Sequence, residues 1–127
     1  MSPRRLAGVL IYTAADRFPA MRRFYVDTLE LPVRSDRDGF VNFQWGAMRL
    51  TVAVHSDITG GTLDPNRVMV NLEVPDIHEE HRRLLGASVP FSRPPELEPW
   101  GGWVATFSDP DGNTIQLLEL PETSAVS

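Results

Sequence analysis

The chain has 127 residues, 42% hydrophobic and 23% charged, with a net charge of −5: one globular domain, large enough to bury roughly two thirds of its unfolded surface. The negative balance argues against nucleic acid as a partner, because phosphates need clustered cations. No segment reaches the apolar length of a membrane span and the opening "MSPRR" precedes no signal-like apolar run, so no membrane contact and a cytoplasmic location are expected.

In chain order, the apolar run "LAGVLIYTAA" predicts a first strand. A helix should follow Asp16, since Phe18, Met21, Phe24, Tyr25, Thr28 and Leu29 recur at helical spacing and Pro19 is tolerated in a first turn. Three strands are then expected at Leu31–Ser35, Phe40–Trp45 and Met48–His55, with turns at Asp38-Gly39 and Gly46. The polar, Gly-rich segment 56–67, "SDITGGTLDPNR", reads as a linker.

The same order then repeats. "RVMVNLEVP" predicts a strand, and Asp76 caps a helix whose inner face is Ile77, Glu80 or His81, Leu84 and Leu85, ending at Gly86. Strands should follow at Ser88–Arg93, Trp103–Phe107 and Asn113–Glu119. Asp16, Arg22, Arg23 and Phe24 recur at a constant offset as Asp76, Arg82, Arg83 and Leu84. Each half is therefore β-α-β-β-β, with module one at about 6–55 and module two at about 68–120. The last two strands flank Asp109-Pro110-Asp111-Gly112-Asn113, a hairpin centre in which Pro presets φ, Gly tolerates positive φ and Asp and Asn bond nearby amides.

Alternation along the strands assigns their faces. Val68, Val70, Leu72 and Val74 should pack on a helix, with Met69, Asn71 and Glu73 opposite. Leu50, Val52 and Val54 should do the same, leaving Arg49, Thr51, Ala53 and His55 opposite. In the last strand Ile115 and Leu117 point inward, and Thr114, Gln116 and Leu118 share the second face.

Duplicated βαβββ halves, an Asp near the start of each helix, "RRFY" in the first helix and "WGGWVATFSDPDGNTIQLLEL" at the end together resemble the vicinal oxygen chelate superfamily. That group contains glyoxalase I, bleomycin-resistance proteins and extradiol dioxygenases. The resemblance covers about residues 6–120. It implies an α+β fold in which two tandem βαβββ modules form an incomplete eight-stranded barrel around a cavity, commonly in a homodimer.

The resemblance also implies where a metal would sit, because metalloenzymes of the group place His or Glu on the first and last strands of each module. Those places hold Gly8 or Val9, Thr51, Met69 and Gln116. None is an imidazole or a carboxylate, and hard divalent cations need such donors. The chain has no Cys, so thiolate sites and disulfides are excluded as well. No metal and no other cofactor is expected. His78 and His81, at i, i+3 on the second helix, read as a solvated surface.

The candidate ligand-binding residues are Tyr12, Arg49, Thr51, His55, Asn71, Glu73, Trp100, Trp103 and Gln116. Tyr12, Asn71, Glu73, Gln116 and Arg49 offer hydrogen bonds, and the tryptophans offer flat apolar surface. Trp45 alternates with Val41 and Phe43 and reads as core. Trp100, after the Pro-rich "SRPPELEP" that should not form regular structure, reads as a lid or rim. The expected function is metal-independent binding of an aromatic or amphipathic small molecule, as in the bleomycin-resistance branch. The acidic chain would modestly favour a cation. The alternative is an enzyme without the usual metal, with Glu73 or His55 as general base and Arg49 stabilising an anion. All twelve basic residues are Arg, which rules out lysine Schiff-base chemistry.

Overall fold

A computed structural model describes residues 4–121 of the chain. It divides into two compact units that meet between Gly61 and Thr62, inside the expected linker. Each unit is one βαβββ module with a four-stranded sheet.

Module one runs β1 (Gly8–Thr13), α1 (Phe18–Arg23), β2 (Val33–Arg37), β3 (Phe40–Trp45) and β4 (Met48–Val54). Its strand order is β1-β4-β3-β2, with β1 parallel to β4 and the other pairs antiparallel. Pro19 lies in the first turn of α1, as expected, but Arg17 occupies the N-cap and makes no side-chain cap bond. Asp16 stands one residue too early to cap. After Arg23 the helix widens into a π-helical segment, Phe24–Thr28, in which the Leu29 N–H donates to the Phe24 carbonyl five residues back. The widened turn keeps Tyr25 and Leu29 on the sheet side with Phe18 and Met21, and all four are buried. They meet Val41, Phe43, Leu50 and Val52, also buried, and the Tyr25 and Phe43 ring centroids lie 6.2 Å apart. Burying each such side chain contributes about 1.5–3 kcal/mol.

Module two runs β5 (Val70–Glu73), α2 (Ile77–Gly86), β6 (Phe91–Leu97), β7 (Trp103–Ser108) and β8 (Thr114–Glu119), in the order β5-β8-β7-β6. Here the cap is as predicted: the Asp76 carboxylate accepts the Glu79 N–H at 3.2 Å. Glu119, from β8, accepts the Ile77 N–H at 2.8 Å and satisfies a second orphan donor. The inner face of α2 is Ile77 and Leu84, packed toward Ala105, Phe107, Ile115 and Leu117.

Several expectations need correction. β5 starts only at Val70, so Val68 and Met69 lie outside the strand, and Val68 is 70% exposed rather than packed on a helix. Leu85 is half exposed, because the burying arc of α2 is narrower than the apolar pattern. The α2 helix does include Gly86, but the left-handed residue that ends it is Ser88, at φ +68°. The "SRPPELEP" segment is not irregular: Pro94 and Pro95 lie within β6. That strand is at the sheet edge and breaks register between Arg93 and Glu96, where missing ladder donors cost little. Trp45 ends β3 at 41% exposure instead of in the core.

Candidate functional site

In each module the helix covers one face of the sheet, and register assigns every strand residue to that face or to the open one. In module one Val9, Leu50, Phe43 and Val33 lie on the helix side. Leu10, Thr51, Asn42 and Ser35 form one cross-strand row of the open face. The next row is Tyr12, Ala53 and Phe40, and the one on the other side is Gly8, Arg49 and Gln44. Arg49 and Thr51 therefore do share a face, as the alternation predicts, and Tyr12 joins them through its pairing with Ala53. His55 follows β4 directly and its ring meets Tyr12 edge-on, with centroids 4.7 Å apart.

The sequence reading missed the residue at the centre of this face. Asn42 is only 4% exposed, and its Oδ1 is buried with no hydrogen-bond partner among the described residues. An unsatisfied buried carbonyl costs about 1–3 kcal/mol, so native proteins seldom keep one without a use for it. The signal was present in "FVNFQW": in the β3–β4 hairpin, Asn42 falls opposite Thr51 and Gln44 falls opposite Arg49. Arg49 is exposed, and its guanidinium has no ion pair or hydrogen-bond partner among the described residues. By contrast Arg37 sits over the Phe40 ring, 4.0 Å from its centroid, and Arg22 is paired with Asp36.

His55 is set up as a donor. Its Nδ1 accepts the backbone N–H of Asp57 at 3.0 Å, so the neutral ring carries its proton on Nε2. A general base needs a free lone pair, and this geometry occupies it.

The open face of module two carries Asn71 opposite Gln116, with Thr106 on the far side of Gln116, and Glu73 opposite Leu118. Asn71 and Glu73 are exposed, and Gln116 is half-buried. Arg93, beside Thr106, is held by Glu96 and Glu98. Their carboxylates raise its pKa above the usual arginine value. Trp103 is not part of this face. It alternates with Ala105 and Phe107, and its ring meets His78 of α2 edge-on at 4.7 Å. His81 meets Phe91 in the same way, so both helix histidines contact aromatic rings as well as solvent.

Trp100 lies at the tip of the β6–β7 hairpin, closed by Gly101 N–H to the Glu98 carbonyl and Glu98 N–H to the Gly102 carbonyl. Its ring lies on Gly102, where a Cβ would fall 1.9 Å from the ring. The second Gly of "WGGW" is thus the seat of the indole. The β7–β8 turn is held by Asp109: Oδ1 accepts the N–H groups of Asp111 and Asn113, and Oδ2 accepts the Asn113 side-chain amide, each at 2.9 Å. Thr62 donates to the Asn113 Oδ1 and Thr114 to the Asn66 Oδ1, so the segment before β5 is tied to this turn.

At the places where the resemblance puts metal ligands, register decides between Gly8 and Val9. Gly8 shares the open face with Arg49, while Val9 points to the helix. A Cβ at Gly8 would lie 2.1 Å from the Arg49 carbonyl oxygen, so this position admits no side chain at all. Thr51 offers a hydroxyl, Met69 a thioether and Gln116 an amide. This set does not fit a divalent cation. Among the described residues no three His, Cys, Asp or Glu side chains are grouped to hold one. Nor, among them, is any helix long and apolar enough to cross a membrane.

The model of the Glyoxalase/Bleomycin resistance protein/Dioxygenase superfamily matches residues 10–117, and the chain belongs to that family. No curated protein matches it in sequence. Among solved structures, a superfamily member from Sphaerobacter thermophilus is 25% identical with a TM-score of 0.69, covering 92% of this chain and 98% of that one. A lactoylglutathione lyase from Agrobacterium tumefaciens is 18% identical with a TM-score of 0.71, covering 94% and 96%. A glyoxalase/bleomycin resistance protein/dioxygenase from Nocardioides is 21% identical with a TM-score of 0.70, covering 96% and 87%. At the last two identities the likeness is one of fold.

Proposed function

We propose that this chain is a metal-independent small-molecule-binding member of its superfamily, and that the open face of module one is its principal recognition surface. The observation that carries the reading is the buried, unpartnered Oδ1 of Asn42 among Thr51, Arg49 and Tyr12. A binding site needs a few oriented polar groups set in apolar surface. This face supplies an unsatisfied acceptor, an exposed cation and aromatic rings. On module two, Gln116, Asn71 and Glu73 and, at its hairpin tip, Trp100 are proposed as ligand-binding residues of that module's own open face. His55 acts here as a hydrogen-bond donor rather than as a base. A homodimer in the cytoplasm completes the proposal, and light scattering tests its oligomeric part.

The test is a thermal-shift screen of fragments in buffer stripped of metal, repeated with added Zn²⁺, Mn²⁺ and Mg²⁺. Fragments should stabilise the protein equally with and without metal. Stoichiometric metal retained by the purified protein, or ligand stabilisation that appears only with metal, would contradict it.

A further inference from the structure

Two Asp-Gly steps occur in the chain, Asp38-Gly39 and Asp111-Gly112, and each lies in the turn of a hairpin. Among aspartyl dipeptides, Asp-Gly is the one whose backbone amide most readily attacks the preceding side chain, because glycine has no Cβ to shield its N–H. Both glycines adopt positive φ, +71° at Gly39 and +89° at Gly112. Their surroundings are opposite. Asp111 is buried, its own N–H donates to the Asp109 Oδ1, and the Gly112 N–H donates to the Asp109 carbonyl at 2.9 Å. Ring closure there must break the last of these bonds and bring water to a buried carboxyl group. Asp38 is exposed, and the Gly39 N–H has no hydrogen-bond partner among the described residues. The Gly39 carbonyl accepts the Val54 N–H at 2.9 Å, which holds the turn without engaging the nitrogen.

We infer that Asp38-Gly39 is a modification site, at which the folded protein forms a succinimide and then isoaspartate, while Asp111-Gly112 is protected by its turn. The Gly39 nitrogen bonds to the side-chain carboxyl carbon of Asp38. The hydroxyl oxygen of that carboxyl group leaves as water, taking the Gly39 amide proton. A second water then opens the imide at one of its two carbonyls. One route restores Asp38, and the other runs the backbone through the side chain as isoaspartate. The rearranged product adds one backbone carbon to a two-residue turn, which shifts β2 against β3. Because β2 is an edge strand, β3, β4 and β1 keep their pairing.

The experiment incubates the wild-type protein in heavy-oxygen water at neutral pH, native and in denaturant, and follows both Asp-Gly peptides by mass spectrometry. Each passage through the imide leaves a heavy oxygen in the aspartyl residue, whichever way the ring opens. A protein isoaspartyl methyltransferase scores the rearranged product. In the native protein, label should enter at Asp38 at least about tenfold faster than at Asp111, as one protecting hydrogen bond implies. In denaturant the two rates should converge. Asp38→Glu, whose longer side chain closes its ring far more slowly, should remove most methyl acceptance from the native protein. Native labelling that is equal at the two sites, faster at Asp111 or absent from Asp38 overturns the inference. Methyl acceptance unchanged by Asp38→Glu overturns it as well.

Discussion

The two modules share one topology and use their polar side chains differently. In module two five carboxylates are engaged in structure: Asp76 and Glu119 cap α2, Asp109 organises the β7–β8 turn, and Glu96 and Glu98 hold Arg93. Module one closes its equivalent β3–β4 turn with Gly46 at φ +56°, whose carbonyl accepts the Gln44 side-chain amide at 2.7 Å. Its open face instead keeps Asn42 and Arg49 unpartnered among the described residues. A duplicated unit can thus preserve the fold in both copies while a buried polar group is left unpaired on the open face of one.

The largest break in this comparison should come from Gly8. Gly8→Val forces a side chain into the Arg49 carbonyl and separates β1 from β4, at an expected cost of about 3–5 kcal/mol in chemical denaturation. Gly46→Ala, in open space at the turn of the same sheet, should cost far less. Asp109→Ala strips three hydrogen bonds from the module-two turn and should cost about 2–3 kcal/mol. Faster hydrogen exchange at Asp111 and Asn113, with module one unaltered, would show the effect to be local.

A smaller pair of changes tests what the modules have in common. Both helices end in a left-handed residue that is not Gly, Glu30 at φ +57° and Ser88 at φ +68°. Glu30→Gly and Ser88→Gly should each stabilise by about 0.5–1 kcal/mol, and thermal melts read the sign.

The smallest effect is electrostatic. The Arg22 guanidinium hydrogen-bonds the Asp36 carboxylate and holds it below the ordinary range. A lowered folded value means the contribution is present above the unfolded carboxylate pKa and fades as pH falls through the folded one. The pair is solvent-exposed, so the stability gap between wild type and Asp36→Asn should be slight at neutral pH and vanish in acid.

What could be read from the sequence was what repeats or alternates. The two βαβββ halves, the Asp76 cap, the DPDGN turn and the shared face of Arg49 and Thr51 all follow from local chemistry or from period two. What could not be read depended on pairing. Pro94 and Pro95 look like loop residues until β6 is known to be an edge strand with a bulge. Trp103 joined the helix side because register, not residue type, assigns its face. Asn42 passed for one polar residue in an apolar strand. Its burial and its missing partner are properties of the neighbours that the sheet brings to it.

Unfolding free energy of Asn42→Leu in metal-free, ligand-free buffer tests the account most directly. If the Asn42 carbonyl is held for a ligand, removing it should stabilise the free protein by about 1–3 kcal/mol, because the unsatisfied acceptor disappears while the branched shape of the side chain is kept. A variant less stable than the wild type would contradict the account, since Asn42 would then be serving the fold.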